Sequence, residues 1–367
     1  MLKNSFYKLN NKSNFNVVYF GGSITEGAGA STYEKCWAGR ISSWLSENFP
    51  SCRINSFSAA IGGTSSSLGV YRCEKDVLSK NPDLVFIEFS VNDHGTDYDT
   101  VLNNHESILK KIYSHNPTTD VIIVFVTTQG LYEDIKDGCE ILSRSAASAA
   151  ADYYGVMQID AGSVLAKEVE TKANGRWGEY LGDSIHPTDK GYEIYYKAIA
   201  KSIGEQFESY TEVTDLTEKA LPEPIFKDNS YANAHLVDST EAEYDGGWQI
   251  FINDQKIKAE NDYTKQDRYL KSTTPGSTLS FKFEGSQVGI FWAMDNFSGK
   301  IEFSVDGSER KTVSAWDFHC AKFSRDNYVI LAENLPVGSH TLTVTVSEEK
   351  NPASLGHTVR IGYFMVS

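Results

Sequence analysis

Ser23, Asp183 and His186 are the side chains of this 367-residue chain whose types and spacing could perform acyl transfer. A serine hydroxyl is a weak nucleophile at neutral pH and needs a base beside it. The His186 imidazole can take that proton, and Asp183, placed shortly before it, can accept from the other ring nitrogen and fix the tautomer. Pro187 biases His186 towards extended backbone, so both side chains can turn inward instead of running along a helix. Taken singly, each also fits a plainer role: Ser23 in an ordinary strand-to-loop turn, His186 as a packing residue at a helix entry. The case for chemistry is that Asn92 and the Gly62-Gly63 loop occupy matching places elsewhere in the chain.

Those places are set by alternating strands and helices. Val17-Val18-Tyr19-Phe20 reads as a buried strand broken by Gly21-Gly22, with Ser23 directly behind and turn character until a helix over Tyr33–Phe49. Arg53–Ser58 is a second strand, followed by the small-residue loop 59–67 and a helix over Leu68–Ser79. Leu84–Phe89 is a third strand, ending in Ser90-Val91-Asn92-Asp93, with a helix over Thr100–Ser114. Val121–Val126, an alanine-rich helix over Gly138–Tyr154, Val156–Asp160 and a helix over Ala161–Glu170 continue the pattern. The loop 182–187 then leads into a last helix over Asp189–Ile203. This is a parallel, doubly wound, three-layer αβα domain with a five-stranded sheet. In such sheets the loops at the carboxyl ends of the strands converge on one edge, where ligands bind.

The pattern changes after Phe207. The domains are expected at 1–212 (catalytic), 213–226 (an acidic, proline-bearing linker) and 227–367. In the last, Ser277–Glu284, Gln287–Ala293, Lys300–Val305, Tyr328–Leu331, His340–Val346 and Val359–Val366 read as short strands separated by turn signals. That predicts an all-β sandwich of jelly-roll type. Its Trp248, Trp292 and Trp316 could stack on sugar rings, but core packing is the preferred reading.

The formal charge is −15 and no Lys/Arg cluster interrupts it, which disfavours nucleic acid and anionic membranes as partners. Met1–Asn16 carries no apolar leader-like stretch, and the five cysteines lack CxxC spacing; reduced thiols and a cytoplasmic location are expected. His94, His105 and His115 show no metal-ligand grouping, and neither metal nor cofactor is expected.

The segments 21–25 (Gly-Gly-Ser-Ile-Thr), 62–63, 90–93 (Ser-Val-Asn-Asp) and 183–187 (Asp-Ser-Ile-His-Pro) resemble the four blocks of the SGNH (GDSL-type) hydrolases, in order and over the first 200 or so residues. The two-domain arrangement further resembles bacterial carbohydrate acetylesterases, including those acting on acetylated xylan. The resemblance implies an oxyanion hole made of the Ser23 N–H, a glycine N–H, here assigned to Gly63 in preference to Gly62, and the Asn92 amide. It departs at Gly22, where the family has Asp, and at Ser90, where it has Gly. Neither position supplies a catalytic group. Asp93 is expected to brace the Asn92 loop, and Trp177 to line the acyl or sugar pocket, unless it packs on the last helix.

The function expected is a serine esterase that removes a small acyl group, acetyl above all, from a sugar or oligosaccharide such as acetylated xylan. Its rivals are a thioesterase, lysophospholipase or short-chain arylesterase with the same machinery, and a carbohydrate-binding or assembly protein lacking activity. Aromatic-rich strands such as Gly289–Ala293 point to a homo-oligomer.

Overall fold

The computed structural model describes residues 2–227, 231–254 and 261–367, which divide into two units, Met1–Asn229 and Ser230–Ser367.

In the first unit the apolar runs become five parallel strands: β1 (Asn14–Gly21), β2 (Arg53–Ala60), β3 (Leu84–Glu88), β4 (Asp120–Phe125) and β5 (Met157–Asp160). Their order is β2-β1-β3-β4-β5. The chain winds one way from β1 to β2 and the other way from β3 onward, so the order reverses between β1 and β3, the position at which open α/β sheets bind ligands beyond the carboxyl ends of the strands. All five residues of β3 are buried, as are the last five of β1, because helices cover both faces. Alternate residues of β1 serve different layers. Tyr19 stacks on Phe86 and meets the edge of Trp37, whereas Phe20 meets Phe89.

The helices are α1 (Lys3–Asn11), the single turn α2 (Ser23–Glu26), α3 (Trp37–Asn48), α4 (Ser66–Asp76), α5 (Tyr98–His115), α6 (Gln129–Lys136), α7 (Leu142–Tyr153), α8 (Ala161–Lys172) and α9 (Asp189–Glu208). α3 and α8 pack against α9, while α5 packs against α4 and α7. Two helices were not expected. α1 buries Phe6 and Leu9 but also Lys8, whose ammonium is paired with Asp83 at 3.1 Å, so its polarity disguised an inward face. α6 stands apart from the alanine-rich helix, which starts at Leu142 rather than Gly138; Gly138 has φ 84°, outside helical backbone. The expected linker is bonded to the first unit: Lys219 donates its backbone N–H to Pro117 O, and the buried Glu106 accepts from the N–H groups of Ile225 and Phe226.

The second unit pairs its strands antiparallel in two sheets. One runs Lys311–Ser314, Lys300–Val305, Gly338–Val346, Thr278–Gly285, Glu243–Tyr244; the other runs Arg325–Ala332, Val288–Met294, Val359–Val366, Arg268–Ser272, Trp248–Ile252. Inward residues of both sheets share one core, where the Phe281 and Phe364 rings stack with centroids 3.9 Å apart. Trp248 and Trp292 are buried in that core and Trp316 packs against it, as the core-packing reading expected.

Candidate active site

The turn α2 follows β1 after a single residue, Gly22. A Cβ on Gly21 would meet Glu88 O and Thr25 Oγ1 at 2.4 Å, so the chain can turn this tightly only without a side chain there. Ser23 occupies the first helical position, where a backbone N–H has no intrahelical acceptor. The buried Tyr192 hydroxyl, from α9, lies 3.1 Å from Ile24 O and 2.7 Å from Ala28 O and ties the turn to the last helix.

His186 reaches this turn from a loop closed on itself. Gly182 N–H donates to His186 O at 2.9 Å, and Asp183 Oδ1 accepts from the N–H groups of Ile185 and His186. Between them Ser184 is held at φ 71°, an unfavourable conformation for a side-chain-bearing residue that the surrounding bonds impose. Asp183 Oδ2 lies 2.7 Å from His186 Nδ1, and His186 Nε2 lies 2.8 Å from Ser23 Oγ. With Nδ1–H donated to the carboxylate, Nε2 is left as the acceptor for the serine proton. Partial desolvation opposes ionisation of Asp183, but the His186 and Ile185 N–H groups and the His186 ring outweigh it and hold the pKa below the usual aspartate value.

The glycine loop and Asn92 both lie against the Ser23 turn: a Cβ on Gly62 would sit 3.5 Å from Ser23 Cβ, and one on Gly22 would meet the Asn92 side chain. The glycine loop resolves which of its two N–H groups is available: Gly62 donates to Glu26 Oε2 at 2.8 Å. Among the described residues the Gly63 N–H and the Asn92 side-chain amide have no hydrogen-bond partner. Gly63 has φ 72°, which glycine alone adopts without strain. Asn92 leans over the Ser23 turn so closely that a Cβ on Gly22 would sit 1.9 Å from its Oδ1. Behind it the buried Asp93 accepts the Ser66 N–H at the start of α4 at 2.8 Å and lies 3.4 Å from His105 Nε2.

Several groups absent from the sequence reading hold these loops together. Glu88, 1% exposed at the end of β3, accepts from Thr25 Oγ1 at 2.9 Å and Ser90 Oγ at 3.1 Å, and burial pushes its pKa up to about 7. The fully buried Arg72 donates to Gly21 O and Ala59 O, the outgoing ends of β1 and β2, and lies 4.4 Å from the Phe20 ring centroid. Asp189 accepts from Ser31 and Lys35, joining the start of α9 to the segment after the Ser23 turn; these bonds lower its pKa to about 2. A lone carboxylate in the otherwise apolar run Leu84–Phe89 was the available signal for Glu88. Arg72 and Asp189 gave none.

Residues 19–194 match the model of the GDSL-like Lipase/Acylhydrolase family. The first domain is a GDSL-like acylhydrolase domain. The whole chain is similar to a two-domain esterase (CEX) active on acetylated mannans, solved with mannopentaose, at 22% identity and TM-score 0.81, covering 100% of this chain and 94% of that one. An acetyl xylan esterase, AlAXEase, aligns at 24% identity and TM-score 0.44 over 52% of this chain and 100% of that one. No curated protein matches the chain.

Within the GDSL-like domain the two departures have local causes. Gly22 leaves room for the Asn92 amide, and the Ser90 hydroxyl accepts the Val126 N–H at 3.1 Å while donating to Glu88, tying β3 to β4. Trp177 corrects an expectation. It is 7% exposed and belongs to the core cluster, with its ring 5.5 Å from that of Tyr132, so it is no open platform for a sugar.

Proposed function

We propose that the chain is a serine esterase that releases small acyl groups, acetyl foremost, from carbohydrate. The observation that carries this is the continuous chain Asp183–His186–Ser23, with links of 2.7 and 2.8 Å, beside the first N–H of a helical turn and two donors that have no partner among the described residues. His186 Nε2 takes the Ser23 proton as Oγ attacks the acyl carbon. The Ser23 and Gly63 N–H groups and the Asn92 amide receive the oxyanion, and His186 returns the proton to the departing sugar oxygen. Water, deprotonated by the same imidazole, then attacks the acyl-enzyme and releases acetate. None of these steps calls for a metal.

The choice of carbohydrate leans on the shared two-domain architecture, and the mannan-active relative puts acetylated manno-oligosaccharide beside acetylated xylo-oligosaccharide as the substrate to try. Acetate release from both is measured with the native chain and with Ser23→Ala, next to p-nitrophenyl esters of increasing length. Release that vanishes in the variant, with activity falling beyond butyrate, is the expected result. Strong octanoate cleavage without sugar deacetylation overturns the carbohydrate assignment. An unchanged Ser23→Ala overturns the nucleophile.

A further inference from the structure

Gly62 and Gly63 are adjacent, and that creates a problem the fold has to solve. A Gly-Gly pair has broad backbone freedom, so the loop can present either N–H to the site or flip a peptide between them. One side chain removes that freedom. Glu26 lies on the same single helical turn as Ser23, three positions on and therefore on the same face. Its Oε2 takes the Gly62 N–H at 2.8 Å, while Thr64 Oγ1 donates to Ile61 O at 2.8 Å and Ile61 N–H donates to Gly21 O at 3.1 Å. The Ile61–Gly62 peptide is thus held at its N–H and at its carbonyl. The next N–H, that of Gly63 at φ 72°, is the one left to point at substrate. There is little slack: a Cβ on Gly62 would meet Glu26 Oε2 at 2.9 Å and Ser23 Cβ at 3.5 Å.

We propose that Glu26 is a positioning residue for the oxyanion hole. By accepting the Gly62 N–H it locks the glycine loop in the one orientation that offers the Gly63 N–H to the tetrahedral intermediate at Ser23. The proposal rests on the serine-esterase reading. It makes the nucleophile's own turn responsible for both backbone donors, one as the Ser23 N–H and the other through the Glu26 carboxylate. What Glu26 contributes is hydrogen-bond acceptance rather than charge, and a carboxylate beside a forming oxyanion is electrostatically unfavourable.

The test compares native protein, Glu26→Ala and Glu26→Gln on p-nitrophenyl acetate, with kcat and KM separated and the melting temperature recorded. Losing one oxyanion donor typically lowers kcat by about 10²–10³-fold. Glu26→Ala is expected to lose at least about tenfold in kcat, since a freed loop samples the productive orientation part of the time, with KM moving less than threefold. Glu26→Gln, whose amide oxygen accepts the same N–H, is expected to recover most of the loss. A phenylboronic acid, which forms a tetrahedral adduct on a serine, weakens in parallel with kcat. Native kcat in Glu26→Ala overturns the proposal, as does an equal loss in both variants. If Glu26→Ala does not fold, Glu26→Gln decides alone: retained kcat supports the acceptor role and a tenfold fall overturns it. A native chain inactive on every ester would instead overturn the esterase reading, a separate outcome.

Discussion

Gly29 lies directly against His186: a Cβ built on it would stand 3.1 Å from His186 Cβ and 2.5 Å from Pro187 O. Gly29 also has φ 88°, so any side chain there is strained as well as obstructed. The segment leaving the Ser23 turn and the loop carrying His186 therefore close on each other only through a bare backbone. Gly29→Ala is expected to push the histidine loop off Ser23 and lower kcat by about 10–100-fold, because displacements near 1 Å are costly at a reacting centre. Kinetics on a short ester, with a melting curve to separate misplacement from unfolding, test this. Native kcat in the variant would mean that the loop has slack.

Among the described residues the Asn92 side-chain amide has no hydrogen-bond partner. Asn92→Ala should lower kcat by about 10²–10³-fold with little change in KM, since the donor acts on the tetrahedral state. A variant that raises KM and leaves kcat intact would place Asn92 in substrate binding instead.

Asp183 is more open than a typical buried triad carboxylate, with 59% of its side-chain surface accessible. Solvent screens its charge, so orientation of His186 is its main contribution. Asp183→Asn is expected to cost about 10²–10³-fold in kcat, short of the roughly 10⁴-fold seen when a buried serine-protease aspartate is so changed. The pH–rate profile of the variant should shift along with the loss; an unaltered profile and rate would remove Asp183 from the machinery.

Glu88 makes stability depend on pH with a definite sign. Burial raises its pKa from 4.5 to about 7, so the folded state holds the proton more tightly than the unfolded chain. The folded state is therefore least penalised below pH 4.5, loses stability between pH 4.5 and about 7 at up to about 1.4 kcal/mol per pH unit, and is level above that. Glu88→Gln lacks this titration. Its melting temperature should gain on that of the native chain as pH rises from 4.5 to 8, and a constant difference across the range would contradict the assignment.

Much of the site was readable because parallel α/β topology does the gathering. Apolar runs such as Val17–Phe20 and Leu84–Ile87 can only be strands covered on both faces, and right-handed crossovers bring their outgoing loops to one edge. Ser23, Asn92, Asp183 and His186 could accordingly be named together although the chain separates them by up to 163 residues. The tight turn at Gly21-Gly22 was readable for the same reason, since small residues behind a buried strand have few other uses.

What escaped depended on who else was nearby. α1 reads as polar because Lys8 is stabilised indoors by Asp83, a partner from a distant loop that no local pattern announces. Trp177 is an amphipathic aromatic whose place, core or pocket, is decided by whether Tyr132 packs over it. Gly62 and Gly63 are the same residue type in the same loop, and it is the folded chain that distinguishes them, through the left-handed φ of Gly63 and through the Glu26 carboxylate, which consumes the Gly62 N–H. Sequence order and residue chemistry were enough to choose the five strands of the first unit and the candidate groups at their outgoing ends, whereas the short strands Trp248–Ile252, Arg268–Ser272 and Lys311–Ser314 of the second unit were not read. Hydrogen-bond satisfaction is a property of three-dimensional neighbours, so which donors stay free for a substrate was decided in the folded chain.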